Sequence, residues 1–291
     1  MRARVIGPGA PPVSVVGLGG MHLSIDGRPD EATALRVIHA ALDAGATILD
    51  TADVYCLDDG DIGHNERLIA KALHTWGGRR DAVVIATKGG LTRPGGRWER
   101  NARPEHLRRA CDRSLKALGT ERIDLYQLHA PDPEVPFTES VGALVELQQA
   151  GKIRWIGLSN VTVEDIAAAA RLTALVAVQN RLNPFFRETL SGGVVSECAR
   201  RGLGFLAYSP VGGGRLNKGL PNHPVLQPIA RGRGISPHAV VLAWVLAQGE
   251  TVIAIPSART PAHAADSLTA IDVQLSAAEL AAIDAAEFSR S

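Results

Sequence analysis

Ile48-Leu49-Asp50-Thr51-Ala52-Asp53-Val54-Tyr55 decides how this chain is read. An apolar run, Ala46 to Leu49, ends on a carboxylate, and a phenol follows five residues later. Two further apolar runs end in the same way: Val83 to Thr87 stops at Lys88, and Ile123 to Leu128 stops at His129. Such short runs suit strands buried on both faces, as in a parallel sheet. Any one ionisable residue at a strand end is ordinary, since it can simply satisfy nearby backbone groups. Three on consecutive strands, with Tyr55 close by, are much harder to reach by accident. In a parallel barrel the C-terminal strand ends are where active sites are built.

Outward from that stretch the chain repeats a strand–helix unit. Val13 to Gly17 is the expected first strand, and the Gly-rich loop Leu18 to Ser24 follows it. Helical spacing runs from Glu31 to Ala44, with Asp30 as N-cap and Gly45 as the stop. Asn65 to Leu73 suits the second helix. The loop Gly89 to Arg103 is too long to be a mere connector. Pro104 opens a third helix that ends at Gly119, and Thr138 to Ala150 forms a fourth.

Ile153 to Leu158 is the fifth strand, ending at Ser159-Asn160, and Thr162 caps a helix to Arg171. Leu175 to Val178 is the sixth, reaching Gln179-Asn180, followed by a helix over Val194 to Arg201. Gly204 to Ala207 leads into Tyr208-Ser209-Pro210 and then Gly212-Gly213-Gly214. Pro237 to Gln248, Thr251 to Ile255 and Pro261 to Ala270 supply the last helix–strand–helix. Ser276 and Glu279 are spaced as the capping box of a further helix to Glu287. Eight strand–helix units without a composition break predict a (β/α)₈ barrel in one domain over residues 1–291.

Composition narrows the function. Among 291 residues 45% are hydrophobic and the net charge is +1, which offers no basic field for nucleic acid or anionic lipid. The longest apolar run, Ala239 to Ala247, is far short of a membrane span, and Met1 to Ile6 lacks a signal-peptide core. Cys56, Cys111 and Cys198 are too few and too scattered for a disulfide frame. No acidic or histidine cluster at a strand end suggests a metal site. The expectation is a cytoplasmic protein.

The four ionisable residues define a chemistry. A phenol titrates near 10 when unperturbed, so donating a proton near neutrality asks for a shift of about 3–4 kcal/mol. One ammonium about 4 Å away in a partly screened site supplies on the order of 4 kcal/mol. Lys88 is therefore expected to lower the Tyr55 pKa, with Asp50 holding the ammonium and His129 bonding the substrate oxygen.

In order and spacing, several pieces resemble the aldo-keto reductase family from about Val13 to Ala270. They are Gly17-Leu18-Gly19-Gly20-Met21, Asp50-Thr51-Ala52 with Tyr55, Gly63-His64-Asn65-Glu66, Thr87-Lys88, Leu125 to His129, Gly157-Leu158-Ser159-Asn160, Tyr208-Ser209-Pro210 and Ile255-Pro256. The resemblance implies reduction of aldehydes and ketones by a nicotinamide cofactor, NADP(H) before NAD(H). It implies a tetrad of Asp50, Tyr55, Lys88 and His129, with Tyr55 as general acid.

By the same resemblance, Ser159, Asn160 and Gln179 hold the nicotinamide carboxamide, Tyr208 stacks on its ring, and Gly20 and Met21 line the pocket. Ser209, Pro210 and Gly212 wrap the pyrophosphate. The position independently suits phosphate, because barrels often bind it with the loops after strands seven and eight. Arg259 is the candidate for the adenosine 2′-phosphate, since guanidinium pairs bidentately with phosphate oxygens. Ser257 and Ser267 depart from the family's usual glycine and asparagine.

Trp98 and Leu57, on loops above the strand ends, are the candidates for the substrate wall, and the partner is a small-molecule carbonyl compound. A Rossmann reading of Gly17-Leu18-Gly19-Gly20 fails, because His22 stands where the third glycine belongs. A barrel that senses the cofactor and regulates a partner with little turnover is the alternative from another class. A metal-dependent hydrolase lacks ligands to begin with.

Overall fold

The computed structural model describes residues 2–290. Eight parallel strands form one sheet in chain order. They are β1 (Leu18–Gly19), β2 (Ile48–Asp50), β3 (Val84–Gly89), β4 (Ile123–Leu128), β5 (Ile153–Ser159), β6 (Leu175–Arg181), β7 (Gly204–Tyr208) and β8 (Val252–Ile255). Val16 pairs in parallel with Ala254, and the Gly17 and Gly19 amides donate to the Ala254 and Pro256 carbonyls at 2.8 and 2.9 Å. That seam closes the sheet into the (β/α)₈ barrel.

The helices cover the ring from outside: α1 (Glu31–Asp43), α2 (His64–Thr75), α3 (Pro104–Leu118), α4 (Phe137–Gln149), α5 (Val163–Ala170), α6 (Val194–Arg201), α7 (Pro237–Ala247) and α8 (Pro261–Thr269). Their starts follow the sequence. Asp30 accepts from the Thr33 amide at 2.8 Å, and Thr162 closes a capping box with Asp165. Gly119 ends α3 at φ 63°, a conformation only glycine adopts without strain. α7 is apolar all round because it lies under a further helix, Leu226–Arg233, as well as against the barrel, and Trp244 donates to Asp284 in the closing helix Ala277–Ala285. None of the described helices is long and apolar enough to cross a membrane.

The expected first strand is corrected. Pro12–Ser14 pairs antiparallel with Ala3–Val5, and the barrel strand begins only at the Val16 bridge. Val13 to Gly17 therefore spans two elements. Both are apolar because both are buried, so the run carries no mark of the break between them. The hairpin lies across the N-terminal mouth of the barrel. Ile6, fully buried, packs with Val13 against inward-facing Ile48, Val84, Leu125, Val176, Leu206 and Ile253. The Gly204 amide donates to the Ile6 carbonyl at 2.6 Å, fixing the plug to β7.

Candidate active site

β2, β3 and β4 bring their terminal side chains to one place. The Lys88 ammonium is fully buried and uses all three of its protons: it donates to Asp50 Oδ1 at 2.7 Å, to the Thr51 carbonyl at 2.8 Å and to Tyr55 Oη at 3.1 Å. The other carboxylate oxygen, Asp50 Oδ2, accepts from Gln179 Nε2 at 2.7 Å. Burial works against the charge on Lys88, but Asp50 and the phenol oxygen overcome it and leave its pKa raised. A buried ion pair adds little stability over a well-packed apolar pair, so its presence at a strand end points to chemistry.

The expected direction of the Tyr55 shift is corrected. Burial pushes the phenol up to about 12, the Lys88 ammonium pulling downward without prevailing and Asp50 adding to the rise. The ammonium is as close as anticipated, but desolvating a nascent phenolate and placing a carboxylate behind the ammonium outweigh it. Tyr55 thus keeps its proton throughout the ordinary pH range. His129 stands edge-on to Tyr55, with ring centroids 5.8 Å apart. Burial first, and the nearby Lys88 charge second, hold its pKa well below the usual range, so the imidazole is neutral.

From these groups a cavity of about 1040 Å³ runs across the C-terminal face to Arg259, just before α8, and to His263 and Ser267 within it. That volume suits a large organic ligand. Met21, Ser159, Asn160, Gln179, Tyr208, Ser209, Pro210, Trp98 and Arg259 all line it. Asn160 is set between two neighbours, donating to the His129 carbonyl at 2.9 Å and accepting from Tyr208 Oη at 2.8 Å. Asn160 and Ser209 are the only described non-glycine residues at positive φ, 58° and 48°. Backbone strain of that kind collects at ligand sites. An elongated groove with one aromatic face, a strained polar rim and glycines at 213 and 214 fits a dinucleotide, and Arg259 lies exposed at its far end.

Besides the fully buried Lys88, three expected residues do not line the cavity. The Gly20 amide donates to the Asp50 carbonyl at 2.7 Å, and its own carbonyl accepts from Asn65 Nδ2 at 2.8 Å. Gly212, at φ 91°, turns the chain against the Phe185 ring ahead of Gly213. Leu57 is exposed, and its carbonyl accepts from Arg93 Nη2 at 3.0 Å. Cys56 is buried with its thiol pushed up to about 11 by burial, as befits packing and not redox chemistry.

Sequence reasoning missed other lining residues. His22, Leu91, Arg181, Asn217, Lys218 and Asp266 face the cavity. Asn217 and Lys218 open the 3₁₀ turn Asn217–Asn222, in a stretch with no period or motif to single them out. Asn65 had a signal, the Gly-His-Asn-Glu run, and it ties Gly20 and Ser24 to Thr51.

Fold and site together define a parallel barrel whose strand ends hold a buried aspartate–lysine pair against a tyrosine hydroxyl, beside a cavity of dinucleotide size. The profile of the Aldo/keto reductase family matches residues 15–287, and the chain belongs to that family. It is an NAD(P)H-dependent oxidoreductase acting between carbonyl and alcohol. It is 31% identical over 281 residues to the 6-dehydroglucose reductase of Novosphingobium aromaticivorans, covering 93% of this chain and 90% of that protein. Among solved structures, the glycerol dehydrogenase of Gluconobacter oxydans superposes with a TM-score of 0.84 at 30% identity, over 96% of this chain and 93% of the other. An aldo/keto reductase from Klebsiella pneumoniae, in complex with NADP and acetate, superposes at 0.82 and 29% identity, over 98% and 95%.

Proposed function

We propose that this enzyme reduces small-molecule aldehydes and ketones with NADPH, as one cytoplasmic barrel domain, using Tyr55 as the general acid. The observation that carries the reading is the Lys88 ammonium within hydrogen-bonding reach of both Asp50 and the Tyr55 hydroxyl. When bound, the nicotinamide supplies a hydride to the carbonyl carbon. Neutral His129 donates a hydrogen bond to the substrate oxygen, and Tyr55 gives that oxygen its proton. An oxygen that has become an alkoxide is a far stronger base than phenolate, so even a phenol held near 12 protonates it. Lys88 then stabilises the phenolate as it forms, without displacing the proton beforehand. Asp50, fixed by Gln179, keeps the ammonium charged and aimed.

Ser159, Asn160 and Gln179 would hold the carboxamide, with Tyr208 against the ring and Met21 beside it above Gly20. Ser209 and Pro210, turned by Gly212, would carry the pyrophosphate, and Arg259 the 2′-phosphate. Trp98 forms the substrate wall, with Leu57 at its outer rim. The names of the relatives add a sugar-derived carbonyl and a polyol to the candidate substrates. The test is NADPH oxidation by the purified protein across aromatic aldehydes, short aliphatic aldehydes and sugar carbonyls, with alcohols and NADP for the reverse direction. Tight NADPH binding without turnover on any of them would favour the cofactor-sensing barrel instead.

A further inference from the structure

Between β3 and α3 the chain forms a small hairpin, Leu91–Thr92 against Glu99–Arg100, around a single helical turn at Pro94–Gly96. Arg93 enters that turn and sends its guanidinium inward, where it is 6% exposed. Its hydrogen-bond acceptors are backbone carbonyls: Nη2 donates to the Cys56 carbonyl at 3.1 Å and the Leu57 carbonyl at 3.0 Å. Nε and Nη1 are buried with no hydrogen-bond partner. Buried unmet donors on a cation destabilise a fold and call for an explanation.

The charge itself is met on the face of the guanidinium. Its Cζ is 4.0 Å from the centroid of the Trp98 ring, the stacking distance of a cation on an indole face. Trp98 in turn stands edge-on to Tyr55, with centroids 6.4 Å apart at 74°. One side chain therefore ties the backbone directly after the proton donor to the aromatic wall facing it. Trp98 is 47% exposed and lines the cavity, so without such a clamp its indole would be free to swing. Lysine at this place would keep the charge but lose the planar face and the forked reach to two carbonyls.

We propose that Arg93 is a positioning residue that locks the Trp98 indole at a fixed spacing from Tyr55, so that the enzyme favours carbonyl compounds bearing a flat ring. The inference rests on the reading of Tyr55 as proton donor at this end of the cavity.

The test compares benzaldehyde with propanal in the wild type, Arg93→Lys, Trp98→Leu and the double variant, together with NADPH affinity by fluorescence titration. Arg93→Lys should raise KM for benzaldehyde about 10-fold, with a smaller change for propanal and an unchanged NADPH Kd. The double variant should match Trp98→Leu alone, because the arginine acts through the indole. Equal losses on both aldehydes, or additive effects in the double variant, would overturn the proposal. Should Arg93→Lys not fold, Trp98→Leu must still lose the preference for benzaldehyde, and failure to do so overturns it too. Acrylamide quenching gives a readout independent of turnover, since releasing the clamp must raise the Trp98 contribution. A wild type that reduces neither aldehyde but does reduce sugar carbonyls would overturn this proposal, one that reduces no carbonyl compound would refute the functional reading, and unchanged quenching would refute the clamp.

Discussion

At the N-terminal mouth of the barrel, Ile6 and Val13 fill the space between inward-facing Ile48, Val84, Leu125 and Leu206. At the C-terminal mouth β2 ends in Asp50, β3 and β6 carry Lys88 and Gln179 near their ends, and His129 comes directly after β4. The lower end gains stability by removing hydrocarbon from water. The upper end holds a buried ion pair, the strained backbone of Asn160 and Ser209, and buried polar atoms without partners such as His129 Nδ1 and Gln127 Nε2. The residues at the centre of both ends are buried, so burial alone does not separate them. What separates them is whether the buried atoms have their electrostatic needs met by the fold itself.

If that division is correct, a change at one end should move one property and leave the other alone. The largest effect is expected from Tyr55→Phe, which should lower turnover on the order of 10²-fold or more, with NADPH affinity and Tm unchanged. Steady-state rates beside a binding titration check this, and undiminished turnover would remove Tyr55 from the mechanism. Ile6→Ala is the mirror experiment. It should reduce unfolding free energy by about 2–5 kcal/mol, while kcat/KM at low temperature stays within about 2-fold of wild type. A denaturant melt and an activity assay on one preparation suffice, and a large loss of kcat/KM would mean that the plug reaches the site.

Arg259→Ala should weaken NADPH about 10-fold or more, as the loss of a charge-assisted bidentate contact does, and leave NADH nearly untouched. Equal losses for the two cofactors would place the 2′-phosphate elsewhere.

The smallest effect concerns a carboxyl just outside the strand ends. Asp53 is fully buried, and burial first, then neighbouring Glu66, push it up to about 8, with Arg113 Nη2 at 3.4 Å only partly opposing. An unfolded aspartate titrates near 3.9, so between about pH 4 and 8 the folded state holds a proton that the unfolded state has lost. Stability therefore falls as pH rises through that window. Asp53→Asn should raise Tm by roughly 3–6 °C at pH 9 and by much less near pH 4. A scan of Tm against pH in which the gap between the two proteins does not widen from pH 4 to pH 9 would reject this.

The sequence carried the strand ends well, because Asp50, Lys88 and His129 each terminate a run whose length is set by the barrel's own thickness. It carried the helix starts for a similar reason, since Asp30, Thr162 and Ser276 act on amides only three residues away. It failed at Val13 to Gly17, where two buried elements meet without a polar boundary. It also failed at the Tyr55 pKa. The distance to Lys88 was foreseeable, but how completely water is excluded around both was not.

Local chemistry thus determined which side chains stand at the ends of which strands, and with them the reaction class, because such signals are written within a few residues of one another. Tertiary structure decided what lies between them. Gln179 grips Asp50 across 129 residues, Asn217 and Lys218 fold over the cavity, and Arg93 reaches past its own hairpin to the Cys56 and Leu57 carbonyls while it holds Trp98 beside Tyr55. Those contacts depend on ring closure, which brings together residues that share no pattern in the chain, and on desolvation, which only the finished packing fixes.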